Sequence, residues 1–185
     1  MKTKFILNGG FKPGQANEDN VDFYKEILKD APEGAKILLV PFAKDEGRIS
    51  SAVEKLTAEL NENKWQENIT IEVADEERFV EQLKAADVAY FHGGASLKLL
   101  EMLRKYPDLE QSIIGKTIAG ESAGANVWNT FFYSPRADLV SEGLGILPIK
   151  MIPHYKEEHS DKLDGVGEGL EELFLPEYTY KIFYQ

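Results

Sequence analysis

Short apolar runs alternate along the chain with segments whose hydrophobic residues return every three or four positions, and this alternation predicts β–α units. Residues 4–8 read as a first strand, closed by the breaker pair Gly9-Gly10. A polar loop through Gly14 and Asn17 leads to a helix over 19–29, ended by Pro32 and Gly34. Residues 36–41 (KILLVP) are apolar on both faces, as a central parallel strand requires. Ser50 or Ser51 is expected to cap a helix carrying Val53, Leu56 and Leu60, and Ile69, Ile71 and Val73 then alternate with polar residues in a strand nearer the edge. A short helix over 76–85, a buried strand over 87–91, a helix with Leu99, Leu100 and Leu103, a strand over 117–119 and a helix over 123–128 continue the series. Beyond Asn129 the pattern degrades; 149–152 and 179–184 read as strands, with a helix over 161–173 between them. The expected fold is α/β, a three-layer sandwich around a mostly parallel sheet.

Length and charge narrow the class. At 185 residues the chain suits one domain spanning 1–185, with no repeat, linker or low-complexity tract. With 32 acidic against 21 basic side chains, the net charge of −11 argues against nucleic-acid or anionic-membrane partners. The absence of cysteine excludes disulfides, thiolate zinc sites and a cysteine nucleophile. No apolar run approaches the length of a membrane span, and the stretch at Phe5-Ile6-Leu7 is too short for a signal peptide, so the expected location is cytoplasmic.

Gly120-Glu121-Ser122-Ala123-Gly124 fits G-x-S-x-G, the nucleophile elbow. There a serine sits on a strained strand-to-helix turn, and small neighbours let the backbone pass closely while Oγ stays exposed. The predicted context agrees: a strand precedes Ser122, and the N–H of Ala123 falls where an oxyanion would form. A tight β–α turn packed by small residues is the competing reading. Glu121, beside the nucleophile, would touch substrate or face water.

A serine nucleophile needs a base, and the chain has three histidines. His154 follows the strand over 149–152, at a strand-to-loop junction of the kind where parallel sheets keep their sites. His159 lies in a charged stretch and is expected to face solvent; His92 abuts Gly93-Gly94 at another strand end, where it either lines the same cleft or is structural. Asp138, between Ser122 and His154, gives the order Ser…Asp…His, with Glu142, Glu157 and Asp161 as competitors. Gly93-Gly94 is either a tight turn with Ser96 capping the next helix or, through the Gly94 N–H, a second oxyanion donor. The stretch from His154 to His159 is one residue too long for H-x-x-E-H, which argues against a zinc site, and no glycine-rich phosphate motif is present.

Residues 118–126 (Ile-Ala-Gly-Glu-Ser-Ala-Gly-Ala-Asn), 91–94 (Phe-His-Gly-Gly) and 151–155 (Met-Ile-Pro-His-Tyr) resemble the dipeptidase E (aspartyl dipeptidase) and cyanophycinase family of serine peptidases. The similarity runs in order from about residue 4 to 159. It implies a class I glutamine amidotransferase-like fold with serine in place of the amidotransferase cysteine. It further implies hydrolysis of small peptides through an acyl-enzyme, with neither metal nor cofactor. By position, Ser122 is similar to the family's nucleophile, His154 to its base and Asp138 to its acid, with the Gly94 and Ala123 N–H groups as oxyanion hole. The chain departs from the family where Gly-Gly-Asn becomes Gly93-Gly94-Ala95, and in ending at Gln185, where relatives usually add strands. It also has only four arginines, none after His154; Arg136, Lys156 and Lys162 are the candidates for holding an acidic substrate group. The aromatic residues Phe174, Tyr178, Tyr180 and Phe183 would cover a sheet edge or receive a second copy of the chain as a homodimer. Two rival readings remain: a non-catalytic domain of this fold that binds a small ligand or protein, and an α/β-hydrolase esterase.

Overall fold

The computed structural model describes residues 2–12 and 20–185, so the loop expected through Gly14 and Asn17 lies outside the described residues. A six-stranded sheet is built from β1 (Lys4–Asn8), β2 (Ala35–Val40), β3 (Ile69–Val73), β4 (Val88–Phe91), β5 (Thr117–Glu121) and β10 (Tyr180–Tyr184). Its order is β10-β1-β5-β4-β2-β3, with every pair parallel except β10 against β1. The two-residue period of these strands sends alternate side chains into separate cores. Phe5, Leu7, Leu38, Val40, Ala89, Phe91 and Ile118 point to one face, and Ile6, Ile37, Leu39, Val88, Tyr90 and Ala119 to the other.

The second face is covered by α1 (Val21–Leu28) and α2 (Glu46–Asn63), through Phe23, Tyr24, Ile27 and Leu28 of the former and Leu56 and Leu60 of the latter. The first face carries α3 (Phe79–Ala85), α4 (Ser96–Leu103), α5 (Leu109–Ser112) and α6 (Ala123–Asn126). It also carries a second sheet of β6 (Asn129–Ser134), β7 (Leu139–Glu142), β8 (Leu147–Pro153) and β9 (Glu171–Leu175), in the order β7-β6-β8-β9. The expected α/β architecture, a mostly parallel central sheet with helices on both sides, is the one observed.

Trp128, fully buried, joins the two sheets. Its ring meets Phe91 edge-on at 4.7 Å between centroids and Phe5 at 5.6 Å, while Phe132 and Met151 of the second sheet share the same core. Trp128→Ala is expected to destabilise the protein by about 3–5 kcal/mol, since it removes a fully buried ring and leaves a cavity between the two sheets. Urea unfolding would show it as a lower midpoint at unchanged slope.

Several local expectations are corrected. The helix expected over 161–173 does not form: Gly165, Gly167 and Gly169 adopt φ of 70°, 56° and 83°, and the segment turns until β9 begins. That loop is tied down by the buried Lys150 ammonium, which donates to the carbonyls of Leu163 and Val166 and pairs with Glu172 at 3.0 Å. Where the pattern degrades after Asn129, β6 and β7 form a hairpin. Helix α2 starts at Glu46 behind Asp45, so Ser50 and Ser51 lie inside it rather than at its cap. Ser96 is likewise the first residue of α4, and its hydroxyl accepts from Asn126 Nδ2. Strand β10 resolves the C-terminal aromatics: it pairs along the whole of β1, with Tyr180 and Ile182 packed on one core and Phe183 on the other.

Candidate active site

The parallel strands end together. Asn8 is in register with Glu121, and Phe91 with Gly120, so the turns after β1, β4 and β5 meet at one carboxyl edge. Ser122 stands there with φ 49° and ψ −107°, a backbone conformation that a residue with a Cβ adopts only under strain. Both motif glycines are sterically required. A Cβ on Gly120 would enter the carbonyl of Gly124, and one on Gly124 would enter that of Phe91. Ala123 opens α6, so its N–H has no acceptor in a preceding helical turn. Gly94, at φ 155°, abuts the Ala43 carbonyl so closely that no side chain fits.

The turn after β1 holds the site together. The Asn8 carbonyl accepts from the Ser122 N–H at 3.0 Å, and the Gly9 carbonyl from the His154 N–H at 2.7 Å. The Gly10 carbonyl accepts from the Tyr178 N–H at 2.9 Å, and the Gly9 N–H donates to Thr179. The Asn8 side chain closes the turn by accepting from the Gly10 N–H at 2.7 Å. The imidazole of His154 occupies the space that a Cβ on Gly10 would need. A turn that reads as an ordinary strand end in the sequence thus fixes three separate segments of the site.

Those segments bring a carboxylate to the histidine. Strands β8 and β9 run parallel with Pro153 opposite Leu175, so His154 and Glu177 emerge side by side. Their contact, His154 Nδ1 to Glu177 Oε1, measures 3.1 Å, and Glu177 Oε2 lies 3.7 Å from Lys12 Nζ. Asp138, the expected partner, is elsewhere. Its largely exposed carboxylate accepts from the Tyr133 hydroxyl at 2.7 Å and from Lys162 at 3.1 Å. These two donors hold its pKa below the ordinary aspartate range. The helix expected over 161–173 overlaps the start of β9, and it is the strand, parallel to β8, that puts Glu177 beside His154. No hydrogen bond joins Ser122 Oγ to the imidazole among the described residues, and such contacts commonly tighten only in the complex with substrate.

Ser122, His154 and Gly94 face one cleft of about 890 Å³. His92 lines it as well, buried, with Nε2 unpartnered among the described residues. His159 is not solvent-facing as expected: its ring lies against Tyr133 at 5.5 Å, its side chain only 13% exposed. Of the basic candidates, Arg136 and Lys156 line the cleft, joined by Lys44 and Arg48, whereas Lys162 is engaged by Asp138. Glu121 is buried at its floor and accepts from the Gly93 N–H at 3.1 Å. Burial pushes its carboxyl up, but His92, Lys44 and that N–H together outweigh burial and hold it below the ordinary range. It is therefore ionised at neutral pH.

The sequence matches the model of Peptidase family S51 over residues 5–168. The chain belongs to peptidase family S51. It is accordingly a serine-type peptidase by family, and the resemblance to dipeptidase E holds. No curated protein matches it. The fold is similar to that of a peptidase from an acI-B1 Actinobacterium, with a TM-score of 0.71 at 24% identity, over 99% of this chain and 84% of that one. It is also similar to a protein from Listeria monocytogenes EGD-e assigned as a peptidase E, with a TM-score of 0.70 at 16% identity, over 100% of this chain and 98% of that one. For an S51 member, the expected side-chain amide after Gly-Gly is absent, and Ala95 instead donates its N–H to Ala43. No helix among the described residues is long and apolar enough to cross a membrane.

Proposed function

We propose that this S51 peptidase hydrolyses small peptides through an acyl-enzyme on Ser122, with His154 as base and Glu177 as the acid that orients it. The observation that carries the assignment is the 3.1 Å contact between His154 Nδ1 and Glu177, made on a backbone whose Gly9 carbonyl also holds His154 in place. With Nδ1–H directed at the carboxylate, the imidazole keeps Nε2 unprotonated and free to take a proton. Ser122 Oγ attacks the scissile carbonyl carbon as its proton passes to Nε2. The carbonyl oxygen becomes an oxyanion against the Gly94 and Ala123 N–H groups, which the backbone has already oriented. Collapse breaks the C–N bond, and the leaving amine takes the proton from Nε2. Water then attacks the ester by the same route, releasing the acid and restoring Ser122. The rigidity of the Asn8-Gly9-Gly10 turn supports this reading, because a nucleophile and base held on one turn lose little entropy on reaching the reactive geometry.

The experiment is active-site labelling. A fluorophosphonate probe at neutral pH is expected to modify Ser122 stoichiometrically, with mass spectrometry locating the adduct. A folded protein that stays unlabelled would refute the acyl-enzyme and leave the ligand-binding reading in its place.

A further inference from the structure

The turn after β4 carries an N–H aimed at the reaction, and its neighbours in the turn are all engaged. The His92 N–H donates to the Val40 carbonyl at 3.1 Å, and the Ala95 N–H to the Ala43 carbonyl at 2.9 Å. The Gly93 N–H donates to Glu121 Oε1 at 3.1 Å, in a buried contact. In this turn the Gly94 N–H alone has no acceptor among the described residues. That is the group an oxyanion would need. Gly93 is fastened by a side chain, and that side chain belongs to the residue before Ser122. The turn itself has none for the task, since Gly93-Gly94-Ala95 offers no polar side-chain atom.

The anchor is itself immobile. Glu121 ends β5, and strand parity places its side chain with Ala119 on the face covered by α1 and α2. There Tyr90 and His92 hydrogen-bond to the carboxylate, and Lys44 Nζ lies 3.9 Å from Oε1. These contacts leave it ionised, and a peptide N–H bonds more strongly to an ionised carboxylate than to a neutral acceptor. The turn also packs directly on the elbow. A Cβ on Gly93 would lie 3.1 Å from the Glu121 carbonyl oxygen and 3.3 Å from Ser122 Cβ. One short stretch, residues 121–122 against 93–94, therefore sets the spacing between Ser122 and the Gly94 N–H. An oxyanion donor is effective only when it is aligned before the charge develops, so a small displacement forfeits much of its effect.

We infer that Glu121 is a positioning residue: by holding the Gly93 N–H it fixes the Gly93-Gly94 peptide so that the Gly94 N–H meets the oxyanion at a set distance from Ser122. The inference rests on the reading of Ser122 as nucleophile, which the labelling experiment tests separately. Substitutions at this position separate reach from charge. Glu121→Gln keeps an oxygen at full length without the charge, Glu121→Asp keeps the charge on a shorter side chain, and Glu121→Ala keeps neither. Hydrolysis of Ala-Ala, Leu-Ala, Lys-Ala and Asp-Ala is measured, and the variants are compared on the dipeptide the parent cleaves best. Relative to the parent, kcat is expected to fall less than about tenfold in Glu121→Gln but about 10²-fold in Glu121→Asp and Glu121→Ala, with KM changed by no more than about threefold. Inhibition by the amino aldehyde of the same first residue, whose hemiacetal oxygen fills the hole, should weaken in the same order. Amide hydrogen exchange reads the contact without turnover. The Gly93 N–H should be protected in the parent and in Glu121→Gln, and exchange about tenfold or more faster in the other two variants. A kcat held better by Glu121→Asp than by Glu121→Gln would overturn the inference, by making charge the active feature. A loss confined to KM would overturn it by making Glu121 a substrate contact, and Gly93 exchange indifferent to the variants would remove the anchor. A parent unlabelled at Ser122 that keeps the exchange pattern would overturn the nucleophile reading, and the oxyanion role with it, while leaving the anchor in place. Should Glu121→Ala not fold, the comparison of Glu121→Gln with Glu121→Asp still decides.

Discussion

Ser122→Ala is expected to lower kcat/KM on any peptide this enzyme cleaves by about 10⁴-fold or more, while the protein stays folded. The magnitude follows from losing the covalent route altogether, with only the oxyanion donors and the binding surface left to act. The fold survives because Oγ carries none of the local structure. The turn is held instead by the Ser122 N–H on Asn8 and by the Ser122 carbonyl, which accepts from Ala125 and Asn126. A stability measurement on a companion variant separates strain from chemistry. Ser122 pays for its position at φ 49°, and alanine would suffer the same strain, whereas glycine would not. Ser122→Gly is therefore expected to be inactive yet more stable than the parent by about 1 kcal/mol. Steady-state hydrolysis and urea unfolding check both halves. Appreciable turnover by either variant would remove Ser122 from the mechanism.

The second large effect distinguishes two carboxylates. Glu177→Gln is expected to reduce kcat by about 10² to 10⁴-fold with little change in KM, because an amide at Nδ1 no longer enforces the tautomer that leaves Nε2 basic. Asp138→Asn should change kcat by no more than about threefold, since its links to Tyr133 and Lys162 are largely exposed and weak in water. Parallel kinetics on the two variants settle the assignment. If Asp138→Asn proves the more damaging, Glu177 is only a neighbour of the histidine.

The contrast between those carboxylates shows where a one-dimensional reading fails. Asp138 lies between Ser122 and His154 in the chain, as a Ser…Asp…His order requires, and its carboxylate binds Tyr133 and Lys162 instead. Glu177 lies after both, and only the parallel pairing of β8 with β9 sets it beside His154. The glycines of 165–169 were legible as helix breakers, and heeding them would have exposed β9. Nothing local, by contrast, marked the Asn8-Gly9-Gly10 turn as the support for three segments, because its partners are 114, 145 and 168 residues or so downstream in separate elements. The same limit applies to β10: its apolar and aromatic residues signalled burial, and only pairing with β1 puts Ile182 on one core and Phe183 on the other.

By itself the sequence determined the parts whose physics is local. Alternation and period set most strands and helices of residues 4–126, the short α5 excepted, and the small residues around Ser122 set a tight strand-to-helix turn that only glycines at 120 and 124 permit. The place of His154 at the end of a strand was readable for the same reason: it depends on its immediate neighbours. Tertiary structure alone decided which carboxylate meets the imidazole, which cations line the cleft and where the charge of Glu121 is buried. Those are questions of which strand ends lie next to one another, and strand order is set by the packing of whole faces rather than by any residue's own surroundings.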